Sequence, residues 1–268
     1  MNYLFISKKK LGKYKRKISS IEAKKIIFKD YEDLLHKFSK VNLVRTDKII
    51  IAGGDGTINL VVKAFLKKRK NLLPKMTFKI LPIGTANDLY KYLGNGKKIQ
   101  PIKINDEIIL TAGGFGFFAN SVSLQKKSRF VRLFGKYSYN LAIIKQVISC
   151  PKIEDILVGD KKINFPLSLI AIMNQPFLAS KFQIVKKSNT PSISYLEYDS
   201  NLARRILQFF KIIKKKHFFE NWFYSDKLGR TSIRFRKSID LMVDGDVVYK
   251  GNNFEISLLK EKLDFSKY

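Results

Sequence analysis

Cysteine, histidine and acid are all scarce in this chain. Its 268 residues include one cysteine, Cys150, and two histidines, His36 and His217. A single thiol excludes an internal disulfide framework and a thiolate zinc site. His36 and His217 lie far apart and have no metal-ligand spacing. Against 52 Lys+Arg there are only 22 Asp+Glu, a formal net charge of +30. That excess calls for an anionic partner: phosphates, nucleic acid or an acidic membrane surface. Long apolar runs are missing as well. No stretch reaches the ~18 uncharged apolar residues of a membrane span. The run Tyr3-Leu4-Phe5-Ile6 precedes Lys8-Lys9-Lys10 and is too short for a signal h-region. We therefore expect a cytoplasmic protein, soluble or peripheral to a membrane.

What is present suits a folded chain: 45% apolar and 28% charged residues, within the globular range. Residues 3–6 read as a strand, Lys8 to Lys17 as a solvated basic stretch and Lys25 to Phe28 as a second strand. Asp30 is placed to cap a helix through Leu34, Leu35 and Phe38. Lys48-Ile49-Ile50-Ile51-Ala52 suits a parallel strand buried on both faces. Then the period changes. Ile58, Val61, Val62, Phe65 and Leu66 share one helical face, closed by Lys67-Lys68-Arg69-Lys70 at the favourable end. The unit repeats with strand Phe78–Leu81, a turn through Gly84, helix Ala86–Leu93 and Gly94 as a stop. Strand–turn–helix twice in succession predicts an α/β layer. From about residue 103 the reading turns mainly β, with strands at 108–110, 167–173, 193–196, 233–235 and 241–249. One helix over about Leu202 to Phe219 interrupts them.

The chemistry sits at the two strand–helix turns. Gly53-Gly54-Asp55-Gly56-Thr57 lets the backbone approach a ligand closely. The helix behind it offers unpaired N–H groups and partial positive charge, suited to phosphate. Such loops are also common as plain turns. Asp55 would repel phosphate unless a cation or a hydrogen-bond donor takes its charge. The sequence is neither a P-loop nor the dinucleotide fingerprint. Pro82-Ile83-Gly84-Thr85-Ala86-Asn87-Asp88 lies at the same point of the next unit, so both loops can line one crevice. Alone, Asn87-Asp88 reads as a helix cap. Further on, Asp244-Gly245 between two apolar runs is a hairpin signal.

Taken together, Gly53-Gly54-Asp55-Gly56-Thr57-Ile58-Asn59 and Pro82-Ile83-Gly84-Thr85-Ala86-Asn87-Asp88 resemble the diacylglycerol kinase catalytic-domain family, which includes bacterial soluble lipid kinases and the sphingosine kinases. The first motif is shared with NAD kinases; the second points to the lipid kinases. Gly113-Gly114-Phe115-Gly116-Phe117-Phe118-Ala119 resembles the family's next glycine-aromatic segment. The resemblance implies an α/β Rossmann-like N-terminal domain that binds ATP, a mainly β, sandwich-like C-terminal domain and an active site in the cleft between them. The expected boundaries are 1–102 for the ATP-binding domain, 103–254 for the lipid-binding domain and 255–268 for a segment packing back on the first. It implies transfer of the ATP γ-phosphoryl group, with Mg²⁺, to a hydroxyl of diacylglycerol or a related lipid. Gly53, Gly54, Asp55, Gly56, Thr57, Asn59, Gly84, Thr85, Asn87 and Asp88 are carried over as nucleotide-binding residues, and Asp88 and Asp55 as metal ligands. Asp246 stands where the family has a glutamate general base, with Asp244 assisting.

Three departures stand out. Asp246 is one methylene shorter than Glu, roughly 1.5 Å. Ile6-Ser7-Lys8-Lys9-Lys10-Leu11-Gly12 lacks the family's Asn-Pro loop and leaves too little room for a full first crossover helix. Around Asn174-Gln175-Pro176 the usual glycine-rich turn is also missing. A lipid substrate implies docking on an anionic membrane surface, and residues 202–219 mix aromatics and cations as interfacial helices do; a core helix with a solvated basic face has the same pattern. No specific nucleic-acid partner is expected, and a homodimer is compatible with the reading. The alternatives are an NAD-kinase-like enzyme on a soluble substrate, or a catalytically weak nucleotide- and anionic-lipid-binding protein.

Overall fold

A computed structural model describes residues 1–44, 48–69, 71, 76–84, 87–127, 138–178, 182–186 and 191–268. The chain divides into two units, Met1–Pro101 with Leu259–Tyr268, and Ile102–Leu258. The first is α/β with a parallel sheet; the second is built on an antiparallel sheet.

In the first unit the elements run β1 (Asn2–Ser7), α1 (Lys8–Ser19), β2 (Lys24–Phe28), α2 (Tyr31–Ser39), β3 (Lys48–Gly53), α3 (Asp55–Lys68), β4 (Thr77–Pro82), α4 (Asp88–Tyr92) and β5 (Lys97–Ile99). The last strand of the chain, Leu263–Lys267, here β18, also belongs to this unit. The sheet order is β2-β1-β3-β4-β18-β5. All pairings are parallel except β18 with β5. The isoleucine run of β3 is buried throughout after Lys48, as a central parallel strand must be. On one face Phe5, Phe38, Phe65, Phe78 and Phe265 form a continuous row, with centroids 4.5 to 6.0 Å apart. These rings bind α2 and α3 to the sheet. On the other face Leu4, Ile6, Ile50 and Ala52 pack with Ile18 of α1. Asp30 caps α2, its side chain accepting from Asp33 N at 2.9 Å.

One expectation is overturned here. Lys8–Ser19 is a full crossover helix, not a solvated stretch too short for one. Leu11, Tyr14 and Ile18 recur on one side and pack on the sheet, and that face outweighs the lysines around it. The backbone kinks at Tyr14, where φ is −118° and ψ is 20°.

The second unit contains β6 (Ile102–Ile104), β7 (Glu107–Ile109), β8 (Ala112–Gly116), α5 (Phe117–Lys127), α6 (Ser138–Ile148), β9 (Ile156–Val158), β10 (Lys161–Ile163), β11 (Leu167–Met173), β12 (Phe177–Leu178), β13 (Phe182–Gln183), β14 (Ser192–Glu197), α7 (Leu202–Ile213), β15 (Phe223–Lys227), β16 (Thr231–Val243) and β17 (Asp246–Leu258). The main path is β15-β14-β11-β8-β16-β17-β6-β7, with β9 and β10 branching from β16. Strand β11 shows how the core is arranged. Ile170 and Ile172 enter one apolar cluster, while Leu169, Ala171 and Met173 enter another that also holds Phe117, Phe118, Val147 and Ile212 of the helices. Alternation along a strand buried on both faces produces these two cores. In β8 the glycines of the glycine-aromatic segment have a packing reason: a Cβ on Gly114 would overlap the Ile170 carbonyl oxygen.

The helix expected over residues 202–219 ends at Ile213, followed by a single 3₁₀ turn at His217–Phe219. No helix among the described residues is long and apolar enough to cross a membrane.

Candidate functional site

In the first unit the carboxyl ends of β1, β3 and β4 lie side by side, with Ile6 opposite Ala52 and Gly53 opposite Pro82. Three helices start from this edge: α1 after Ser7, α3 after Gly54 and α4 after Asn87. The two glycine loops are in backbone contact. A Cβ on Gly54 would come within 2.9 Å of Gly84 Cα, and one on Gly84 would overlap Gly54. No larger residue at either position preserves that approach, which explains the residue type. Gly53 has a related constraint, since its Cβ would overlap the Thr57 side chain.

Side chains then lock the loops together. Asn87 sits in the left-handed region at φ 52°, where asparagine is tolerated. Its Oδ1 accepts from Gly84 N, and its Nδ2 donates to Gly84 O, both at 3.0 Å. The Asp55 carboxylate accepts from Asp88 N at 2.9 Å and Leu89 N at 3.0 Å, so it caps α4 from the neighbouring loop. Its negative charge is thus met by backbone donors and the positive end of that helix. The start of α3 itself has no side-chain cap. Gly56 and Thr57 lie in its first turn, and Asn59 is buried one turn further on. Lys8, Lys9 and Lys10 occupy the first turn of α1, with no acid there. Cations at the positive end of a helix are locally unfavourable, and an anion bound at this edge relieves that. Thr85 lies outside the described residues.

The second unit holds the two other acids. Asp244 and Gly245 have φ of 45° and 85°, the signature of a type I′ turn joining β16 to β17. The Asp244 carboxylate is buried and turned back into the sheet. It accepts from Leu110 N at 3.0 Å, Thr111 N at 2.8 Å, Thr111 Oγ1 at 2.7 Å and Ala112 N at 3.2 Å. The Asp244 backbone N donates to Ala112 O at 2.9 Å. Asp244 thus fixes the turn that presents Asp246, which starts β17 and is half-buried opposite Val243.

Two polar neighbours were not among the expected site residues. Thr111 is one. The other is the pair Asn174 and Gln175, whose backbone N–H groups both donate to Thr111 O, at 2.9 and 3.2 Å. The sequence signal was an Asn-Gln pair ending a seven-residue buried strand; nothing local marked Thr111. A crevice in the same unit encloses about 460 Å³ including its open mouth, lined by Phe117, Phe118, Leu169, Phe182, Phe209 and Ile212 among others. Cys150, Ser168, Arg205 and Gln208 are its polar lining. Burial pushes the Cys150 thiol up, against the pull of Arg205.

No group of three or more His, Cys, Asp or Glu able to hold a metal occurs among the described residues.

Residues 7–114 match the diacylglycerol kinase catalytic domain. The resemblance read from the two glycine motifs is thereby borne out. A Staphylococcus carnosus protein named "Putative lipid kinase" is 26% identical over 248 residues, covering 83% of this chain and 77% of that one. Among solved structures, a "putative diacylglycerol kinase" from Bacillus anthracis superposes with a TM-score of 0.70 at 20% identity, covering 99% of this chain and 94% of the other. An NAD kinase from Archaeoglobus fulgidus, solved with ATP, has a TM-score of 0.50 at 12% identity, over 100% and 94% of the two chains. The two structures establish a shared fold.

Proposed function

We propose that the protein is an ATP-dependent lipid kinase, transferring the γ-phosphoryl group of ATP to a hydroxyl of diacylglycerol or a related lipid alcohol. The observation that carries this reading is the backbone contact between Gly54 and Gly84 at an edge where three helices begin. An edge where α1 and α3 start without a side-chain cap, with lysines beside it, is suited to a triphosphate.

Phosphoryl transfer is mainly positioning and charge neutralisation. The loops at Gly53–Thr57 and Gly84–Asp88, with Asn59 behind them, hold the nucleotide. Lys8–Lys10 add positive charge where the family's loop is absent. Asp55 and Asp88 would hold Mg²⁺, which when bound neutralises phosphate charge. Asp246 accepts the proton of the lipid hydroxyl as its oxygen bonds to the γ-phosphorus. The bond from that phosphorus to the β–γ bridging oxygen breaks, releasing ADP. Asp244 acts through the turn and is a positioning residue. The phenylalanine-lined crevice gives an acyl chain apolar room, and α5, which lines it, also packs on β16 and β17. With ATP as donor, the protein works in the cytoplasm, peripheral to the membrane that carries its substrate.

The test is incubation of the protein with γ-labelled ATP, Mg²⁺ and vesicles of a total lipid extract. A labelled phospholipid is expected, with product lost in Asp246→Asn while ATP binding persists. Unlabelled lipid accompanied by NADP formation from NAD would replace this reading with the NAD-kinase one. Nucleotide and vesicle binding with no transfer would replace it with a binding protein.

A further inference from the structure

Helix α7 has two faces, and the core uses only one. Ile212 is buried and Phe209 packs partly against the core of the second unit. On the side away from Ile212, Leu202, Ile206, Leu207, Phe210 and Ile213 are exposed, from 39% to 55%. At 100° per residue they span about 140° of arc. Phe219, just beyond the helix, is 85% exposed. The helix does not need a partner to form. Asn201 Oδ1 caps it, accepting from Ala203 N at 2.9 Å and Arg204 N at 3.2 Å.

The charges around this face are of one sign. Between Asn201 and Phe219 stand Arg204, Arg205, Lys211, Lys214, Lys215 and Lys216, and no acid. Nearby acids answer two of them: Asp199 lies 4.0 Å from Arg204, and Glu220 is 2.7 Å from Lys211. Lys214, Lys215 and Lys216 are exposed at the end of the helix. Lys186 stands 5.0 Å over the Phe219 ring, so this strongly exposed aromatic is itself paired with a cation.

Two occupants suit an apolar face of this size: a second copy of the chain, or a lipid surface. Charge decides between them. A symmetric pair would set two strongly basic faces against each other. An anionic bilayer neutralises the lysines and takes up the apolar side chains in one event. We infer that α7 and the turn after it are the surface by which this protein docks on an anionic membrane. The helix lies in the plane of the interface. Leu202, Ile206, Leu207, Phe210, Ile213 and Phe219 enter the headgroup–acyl boundary, and Lys214–Lys216 meet the lipid phosphates. This inference concerns docking alone and stands whether or not the protein transfers phosphate.

The experiment is sedimentation of the full chain with vesicles of phosphatidylcholine containing phosphatidylglycerol, and with phosphatidylcholine alone. Binding is expected to the anionic vesicles and to weaken with salt. Lys214→Gln/Lys215→Gln/Lys216→Gln should lower the partition coefficient roughly a hundredfold. Leu207→Glu/Phe210→Glu should lower it at least tenfold even at low salt. All five positions are exposed, and circular dichroism checks that both variants stay folded. Binding unchanged in either folded variant would overturn the inference. So would a dimer, seen by analytical ultracentrifugation, that Phe210→Glu dissociates while vesicle binding persists.

Discussion

Replacing Asp244 by asparagine separates an anchoring role from a chemical one. Asparagine tolerates the left-handed backbone at this position, keeps the shape and removes only the charge and one acceptor. The carboxylate receives four donors, three of them backbone N–H groups, on two oxygens. In Asp244→Asn one oxygen keeps most of its partners, and the new amide nitrogen faces a donor. One charge-assisted bond is lost, about 2 kcal/mol. Against a typical total of about 5–15 kcal/mol this is substantial. For a unit of this size it corresponds to a fall in Tm of about 4–8 °C. Asp244→Ala strands all four donors and should cost about 4 kcal/mol or more. Thermal unfolding followed by circular dichroism, beside lipid-kinase assays at a temperature where each variant is folded, checks both. A Tm within about 1 °C of the parent for Asp244→Asn would refute the anchoring argument. Unchanged stability with lost activity would move Asp244 into the chemistry.

Gly84→Val should abolish retention on immobilised ATP and lower Tm, because its Cβ overlaps Gly54; full retention would show the loops part easily. Gly12→Ala meets nothing within 4 Å inside α1 and should raise stability by about 0.5–1 kcal/mol in denaturant titrations. His217 is fully buried with Phe218 and Phe223 around it and Nε2 3.3 Å from Ile184 O. Burial lowers its pKa below the ordinary 6.5, against the hydrogen bond to Ile184. The unfolded chain therefore takes up a proton first as pH falls. Stability should be fully present above about pH 6.5, decline below it, and lose that part of its pH dependence in His217→Gln.

What was legible in the sequence was local or repeated. The isoleucine run of β3, the period of α3 and the Asp30 cap are decided by neighbouring residues, and each forms as read. The glycine motifs were legible because close approach leaves one residue type possible. Helix α1 was missed because Leu11, Tyr14 and Ile18 are diluted by lysines. Thr111 was missed for a different reason: its meaning comes from Asp244, which lies 133 positions further along the chain. The dual character of residues 202–219 could not be divided before burial was known, since the face with Ile212 and the face with Phe210 carry the same residue classes.

Strand β18 has a consequence for how the chain is made. It inserts between β4 and β5, yet its residues are made only after the whole second unit. Throughout synthesis of the intervening 157 residues, Ile102–Leu258, the nascent parallel sheet ends in the open hydrogen-bonding edge of β4, with Phe78 lacking its Phe265 neighbour. An open apolar edge invites pairing with other chains. Synthesis of β18 is thus the event that closes the first unit, and a ribosome stalled before it leaves a sticky, unfinished sheet.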